Sequence, residues 1–322
     1  MAASARVVVV GSLNVDSTSY VEEFPEPGET IRSHGFQVAL GGKGSNQVVA
    51  AHAVGASVDL VARIGADAAG DFAVATLERF GLPTGGIGRA ADAPTGVAQI
   101  TVAESGENTI VITSGANLEV TPDVVDAERD RIAAAALVLT QGELPVATID
   151  RVAEVAGAAG VRFVLNLAPP APVAAATLAV ADPLVLNEHE ARAVGIGTDA
   201  VDASPDAWRA AAASAVGRVA RSIVVTLGSA GAVAASADGS WTVPAPHVDA
   251  VDTTGAGDGF TGTLAAFLAE ERSLEEALRI AVAAGALAVQ ARGTVDSYAS
   301  RDAVLRAAGL ADDDGSDGGA TR

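Results

Sequence analysis

The chain contains no cysteine, so neither a disulfide framework nor a thiolate metal site belongs to its design. Positive charge is also scarce: twenty basic residues face forty acidic ones, for a formal charge of −20. That balance repels phosphate backbones and anionic bilayers, which disfavours nucleic-acid and membrane-surface partners. Long apolar runs are missing too. The longest are alanine-rich and broken by Gly, Pro or charge well short of a bilayer span, and Met1–Arg6 carries no leader-like apolar segment. These absences give the expectation of a cytoplasmic protein. Histidines 34, 52, 189 and 247 lack ligand spacing, which argues against zinc. No repeat of 20–50 residues is visible.

What is present is apolar content of 49% over 322 residues, enough for a sizeable core in one large α/β domain or two ordinary ones. Short Val/Ile/Leu runs alternate with longer Ala-rich stretches of helical period, the pattern of a mostly parallel sheet covered by helices on both faces. Strands are predicted at Arg6–Val10, Ser57–Ala62, Leu137–Thr140, Val161–Leu165, Leu184–Leu186 and Ile223–Leu227. Helices are predicted at Asp71–Phe80, Thr148–Ala158 and Asp206–Val219. Residues 13–40 and 94–113 break this rhythm. Their alternation, as in Thr95–Val102 and Asn108–Thr113, predicts a partly exposed antiparallel sheet able to act as a small lid. The α/β domain then takes residues 1–12, 41–93 and 114–310, and the acidic, Gly-rich end 311–322 reads as a disordered tail.

Chemistry concentrates in four places. In Asp252-Thr-Thr-Gly-Ala-Gly-Asp258, after strand-like Trp241–Val248, a glycine turn opens a helix. Backbone N–H groups of Gly255, Ala256 and Gly257 there can approach a phosphate, helped by the helix dipole. A carboxylate at Asp258 suits proton abstraction from an attacking hydroxyl; helix capping explains the same residue type equally well. In Leu40-Gly-Gly-Lys-Gly-Ser-Asn-Gln47 stands the chain's only lysine, Lys43, a flexible point-charge donor where composition otherwise favours arginine. A solvated lysine beside a Gly-rich turn is the plainer reading. The run is no P-loop, since Gly44 follows the lysine and Gln37 stands where a glycine is required.

Directly after the first strand, Gly11-Ser-Leu-Asn-Val-Asp16 places Asn14 and Asp16 two apart, able to grip adjacent hydroxyls or simply to form a turn. No Gly-x-Gly-x-x-Gly follows that strand, which removes support for nicotinamide binding. Leu186-Asn-Glu-His-Glu190 and Thr226-Leu-Gly-Ser-Ala-Gly231 follow later strands. Asn187 suits a phosphate contact and Glu190 a water on Mg²⁺, or the pair simply caps a helix. Gly228 and Gly231 permit close backbone approach to a nucleotide.

In order along the chain, these segments resemble the PfkB carbohydrate kinase family over about Val7 to Leu305. The resemblance also takes in Pro27-Gly-Glu-Thr30 and Ser114-Gly-Ala-Asn117. It is strongest to the family's ribose-phosphorylating members. It implies a Rossmann-type α/β sandwich with a predominantly parallel sheet and a β-sheet lid, often the homodimer interface, and transfer of the ATP γ-phosphate to the 5-hydroxyl of D-ribose. By matching position, Asn14, Asp16, Gly42, Lys43, Asn46 and Glu143 would hold the sugar, with Asp258 as base and Gly255, Ala256 and Gly257 as anion hole. Asn187, Thr226, Gly228, Ser229, Gly231 and Gly257 would line the ATP site, with Mg²⁺ arriving on ATP. Asp252, Thr254, Ala288, Ala291, Gly293 and Ser297 match a K⁺ site, mostly through backbone carbonyls.

Val48 and Val282 depart from the family pattern, the latter where a polar residue often faces adenine. Alternatives are a family kinase for 2-deoxyribose, fructose or adenosine, or a non-catalytic sugar-binding regulator. Asn14, Asp16 and Glu143 favour a hydroxyl-rich pentose; a nucleoside base would call for an aromatic or apolar lid, and aromatics are only 3%.

Overall fold

The computed structural model describes residues 5–197 and 203–310. The tail expected at 311–322 lies outside the described residues. Among the described residues thirteen strands run in chain order: β1 Arg6–Val10, β2 Asn14–Val21, β3 Gly35–Gly41, β4 Ser57–Gly65, β5 Ile87–Ala90, β6 Gly96–Ala103, β7 Asn108–Thr113, β8 Leu137–Gln141, β9 Arg162–Asn166, β10 Leu184–Asn187, β11 Ile223–Thr226, β12 Ala232–Ser236 and β13 Gly239–Val243. Nine form one sheet in the order β13-β12-β11-β10-β9-β8-β1-β4-β5, and the other four form a second, β3-β2-β6-β7.

Within the large sheet β11, β10, β9, β8, β1, β4 and β5 are parallel; β12 runs against them, and the edge strand β13, antiparallel to β12, runs with them again. The apolar run of β1 explains its central place. Val7 and Val9 enter one core with the helices Lys43–Ala53, Ala256–Ala269 and Leu274–Ala288. Val8 and Val10 enter the other core, with the helices Val146–Ala159 and Pro205–Ala215. A strand buried on both faces has no place for a polar residue. The chain lays β4 and β5 on one side of β1 and β8 to β11 on the other, so the direction of winding reverses between β1 and β8. Crevices beyond the carboxyl ends at such a reversal are where α/β sheets hold ligands.

Three expectations are corrected. The small sheet is mixed, not antiparallel: β2 and β6 pair in parallel, while β3 and β7 flank them antiparallel. Its two central strands follow β1 and β5, parallel strands of the large sheet, from the same edge, so both set out in the same direction. The stretch Trp241–Val248 is strand only to Val243, after which it runs extended without a ladder partner. The helix expected to reach Val219 stops at Ala215. There the chain turns through Gly217 at φ 72 and forms an isolated bridge between Val216 and Ala220. Among the described residues, no helix is long and apolar enough to cross a membrane.

Candidate active site

Asp258 sits in the first turn of the helix Ala256–Ala269 and is 7% exposed. The turn before it requires glycine. Gly255 caps the helix at φ 74, and a Cβ there would lie 2.3 Å from Thr294 Cγ2. The same helix packs so closely on Lys43–Ala53 that a Cβ on Gly262 would meet the Gln47 carbonyl at 2.3 Å. That contact brings two carboxamides to the acid. Asn46 Nδ2 donates to one Asp258 oxygen at 2.9 Å, and Gln47 Nε2 to the other at 2.8 Å.

Gln47 is held in turn. Its Nε2 also donates to Asn166 Oδ1 at 2.9 Å, and its Oε1 accepts from Gln141 Nε2 at 2.8 Å. Asn166 Nδ2 donates to the Val185 carbonyl at 3.1 Å. Through these bonds the carboxylate is anchored to the carboxyl ends of β8 and β9 and to β10. Capping does not account for Asp258, whose two oxygens are taken up by side chains of another helix.

The sugar-side residues expected from sequence gather around this acid. Ser12 Oγ and the Lys43 backbone N–H both donate to one oxygen of Glu143, the latter at 3.0 Å, which closes the crevice between β1 and β8. Gly42 caps the lysine helix at φ 88, where a Cβ would lie 2.8 Å from the Asn14 nitrogen. Lys43 is half-buried, and the negative charge of Asp258 chiefly raises its ammonium above the usual value. Burial opposes this, and Glu143 and Glu190 add to the rise, so Lys43 stands in the field of the same acids rather than out in bulk solvent.

Asp16 is pushed up to about 6, first by burial and then by the charges of Glu143 and Asp258. Its Oδ1 and the Oδ1 of Asn46 are buried without a hydrogen-bond partner among the described residues. Asn14 turns its Oδ1 to Asn117 Nδ2 at 2.7 Å. The inventory is therefore several acceptors, one ammonium and one free amide group converging near a carboxylate, which suits a compound with several hydroxyls.

Next to Gly257 opens a cavity of about 650 Å³. Thr226, Gly228, Ser229 and Gly231 line it after β11, together with Val282, Gly285 and Ala286 of the helix Leu274–Ala288 and its C-cap Val289. The segment Ala245–Val248, read from sequence as strand, supplies another wall, as does Phe260. Gly231 has φ 98 and a would-be Cβ 2.0 Å from the Val243 carbonyl, so the turn is fixed by backbone crowding.

Asn187 lies outside this lining. It forms a capping box with Glu190: Asn187 Oδ1 accepts from the Glu190 N–H at 2.9 Å and Glu190 Oε2 from the Asn187 N–H at 2.7 Å. Capping thus occupies one oxygen of each residue. Burial raises the Glu190 carboxyl, opposed by the Asn187 N–H, Lys43 and His189 and reinforced by Asp258, which places Glu190 in the field of the same cleft.

Of the three residues expected to form an anion hole, Ala256 donates its N–H to the Thr253 carbonyl at 3.3 Å, and the Gly255 carbonyl accepts from Tyr298 Oη at 3.1 Å. Asp252 accepts from the N–H groups of Thr254 at 2.9 Å and Gly293 at 3.1 Å. Burial alone would raise its carboxyl, but these bonds, together with Arg292, hold it below the usual range. Ser297 Oγ gives its proton to the Thr294 carbonyl at 2.7 Å, which leaves its lone pairs available, and the Ala291 N–H meets the Ala288 carbonyl at 3.3 Å.

The roles of Gln47, Gln141, Asn166, Ser12 and Asn117 were not read from sequence. Their one signal is a polar residue next to an apolar strand, as in Leu165-Asn166, or inside a motif whose neighbours attract the attention, as with Gln47.

Comparison with known proteins gives a consistent picture. The profile of the pfkB family carbohydrate kinases matches residues 4–301. The chain is 35% identical to a ribokinase of Haemophilus influenzae over 93% of its own length and 97% of the relative's. It is 33% identical to a deoxyribokinase of Salmonella typhi, over 91% and 95%. Among solved structures it is similar to Arabidopsis thaliana ribokinase complexed with ribose and ATP: TM-score 0.87, 31% identity, 96% of this chain and 100% of that one covered. The chain is an enzyme of the kinase class and belongs to the PfkB family of carbohydrate kinases.

Proposed function

We propose that this sugar kinase transfers the γ-phosphoryl group of ATP to the 5-hydroxyl of D-ribose, with Asp258 as general base. The observation that carries the reading is the pair of buried, unpartnered acceptors, Asp16 Oδ1 and Asn46 Oδ1, beside a carboxylate fixed on both oxygens. Buried acceptors without partners are costly, and sugar hydroxyls would satisfy them. The Arabidopsis relative, complexed with ribose and ATP, supports both ligands.

In this mechanism Asn14, Asp16, Gly42, Lys43, Asn46 and Glu143 orient the sugar. Asn46 and Gln47 keep the Asp258 carboxylate aimed at the hydroxyl whose proton it accepts as the oxygen attacks in line. The N–H groups of Gly255 and Gly257, joined by that of Ala256 when it leaves its long bond to the Thr253 carbonyl, meet the charge spread over the equatorial oxygens, and the side chain of Lys43 adds its own. Thr226, Gly228, Ser229 and Gly231 cradle the nucleotide, and Asn187 Nδ2, which the capping box leaves unused, is the group that would meet its phosphates. The second oxygen of Glu190 would hold a water on magnesium arriving with ATP, which would neutralise phosphate charge there. Asp252, Thr254, Ala288, Ala291, Gly293 and Ser297 offer carbonyls, a hydroxyl and an ionised carboxylate, a donor set that fits K⁺, whose charge would act on the neighbouring anion hole. Equal rates in potassium-free Tris and in potassium buffer would remove the K⁺ assignment.

The sheet β3-β2-β6-β7, from residues 13–40 and 94–113, is in this reading a lid that excludes water and so suppresses ATP hydrolysis. Ile110, Val111 and Ile112 on the edge strand β7 are 52%, 63% and 59% exposed, an apolar edge suited to a second copy of the chain, and Phe36 on the opposite edge strand β3 is 65% exposed. Light scattering on Ile112→Glu against wild type tests the homodimer.

The Salmonella relative favours a second reading, 2-deoxyribose as substrate. An ADP-release assay across ribose, 2-deoxyribose, fructose and adenosine decides between them. The ribose reading expects the highest kcat/KM on ribose, and a preference for any other acceptor overturns it.

A further inference from the structure

We infer that Asn117 is a positioning residue that dictates which end of the Asn14 amide meets the sugar, and so supplies a donor to an otherwise acceptor-rich site. The inference rests on the sugar-kinase reading above. Asn117 is 2% exposed and stands at the end of Ser114-Gly-Ala-Asn117, in a short 3₁₀ turn after β7.

The two orientations of a carboxamide have the same shape, so only partners distinguish them. Here the sequence of partners starts from a group that cannot be reversed. The backbone N–H of Leu13 is solely a donor, and it donates to Asn117 Oδ1 at 2.8 Å. Asn117 must therefore present Nδ2 on its other side, where it donates to Asn14 Oδ1 at 2.7 Å. That fixes Asn14 in turn, leaving its Nδ2, with no hydrogen bond among the described residues, for a ligand.

The backbone around the pair has been cleared to allow this contact. Gly96, which pairs with Asn14 across the β2–β6 ladder, would carry a Cβ 2.2 Å from Asn14 Oδ1 and 2.4 Å from Asn117 Nδ2. Glycine at this position is therefore a requirement of the pair.

The orientation matters because of what surrounds it. Asp16, Glu143, Asp258 and Asn46 Oδ1 all accept. A sugar hydroxyl has one proton; once that is given to a carboxylate, its oxygen can only accept. Asn14 Nδ2 is the neutral donor that completes such a hydroxyl. With the amide reversed, the hydroxyl would face two acceptors with a single proton to share.

Asn117→Asp tests this with almost no change of shape. The carboxylate still accepts from Leu13 but cannot donate, so Asn14 turns its Nδ2 toward it and shows Oδ1 to the sugar. The expected result is a sugar KM raised by about tenfold or more, with the ATP KM within about twofold. In addition, the preference of wild type for ribose over one of its 1-, 2- and 3-deoxy derivatives collapses in the variant, because the hydroxyl that Asn14 served no longer gains from it. An unchanged sugar KM, or sugar and ATP KM values rising together, overturns the inference.

Gly96→Ala, which wedges the pair apart without altering either residue, is the second variant. It is expected to give the same selective loss, and normal sugar binding in a folded Gly96→Ala protein counts against the assignment. A third measurement needs no substrate. Side-chain amide hydrogen exchange by NMR should find the Asn117 NH₂ protected and the Asn14 NH₂ exchanging freely in wild type. Protection of the Asn14 NH₂ would sink the inference whatever sugar the enzyme prefers, whereas inactivity on ribose and its deoxy forms alone would strike only the functional reading.

Discussion

On the side of the cleft proposed to take the sugar, Asp16, Lys43, Glu143, Glu190 and Asp258 share one electrostatic field, and carboxamides from two strands and a helix hold the Asp258 carboxylate in place. The side proposed for the nucleotide is made of other material: Gly228, Gly231, Gly257, Gly285 and mostly apolar side chains around a cavity of about 650 Å³. Recognition on the first side is written in side-chain polarity, and on the second in backbone shape. The two sides should therefore fail in different ways when altered.

The largest effect is expected at Asp258. Asp258→Asn keeps the donors Asn46 and Gln47 nearby and the shape of the acid, but removes the proton acceptor. kcat should fall by about 10²–10⁴ with sugar affinity retained, as read by single-turnover phosphorylation and by calorimetric binding. Near-normal turnover would deny the base its role. Gln47→Met comes next, because it removes the inner clamp at nearly constant volume. Misaiming the carboxylate should cost up to about 10² in kcat with the sugar dissociation constant little changed. A loss seen only in sugar affinity would mean that Gln47 serves binding instead.

On the other side the contrast is between side chain and backbone. Ser229→Ala should leave the ATP KM within about twofold. Gly231→Ala, at φ 98 and with its Cβ 2.0 Å from the Val243 carbonyl, should cost about 1–3 kcal/mol of stability and weaken ATP binding with it. Denaturant titration beside ATP kinetics checks both, and a reversed order of effects would break the distinction between the two sides.

The remaining effect concerns pH and bears on stability alone. The Asp16 carboxyl moves from 3.8 to about 6 on folding, so below pH 4 both states hold the proton and no stability is lost. Between pH 4 and 6 the unfolded chain ionises first, so stability falls as pH rises, by up to about 3 kcal/mol at 1.36 kcal/mol per pKa unit. Asp16→Asn should flatten this slope in melts of the ligand-free protein, and an unaltered slope would show that Asp16 is not its source.

Legibility from sequence divides along the same line. The buried strands could be read because a run such as Val7–Val10 in a polar context has only one cheap location, inside a two-faced sheet. Asp258, Lys43 and the glycines beside them stood out because acids, lysines and glycines are costly in such surroundings without a reason. Gln47, Gln141, Asn166 and Asn117 did not stand out, since a carboxamide advertises neither charge nor periodicity. Its role depends on which of its two ends faces which partner. The mixed pairing of β2 with β6 escaped for a related reason: alternation marks a strand and is blind to the direction of its neighbour.

The amino-acid sequence by itself determined the alternating α/β architecture, the apolar center of the large sheet and the glycine turns at residues 41–44 and 255–257, because burial and positive φ are paid residue by residue. Only the tertiary structure decided that Asn46 and Gln47 would meet an acid more than two hundred positions away, and that Leu13, through Asn117, would orient Asn14. Hydrogen bonds are directional, and their direction exists only once the distant partners have been brought together.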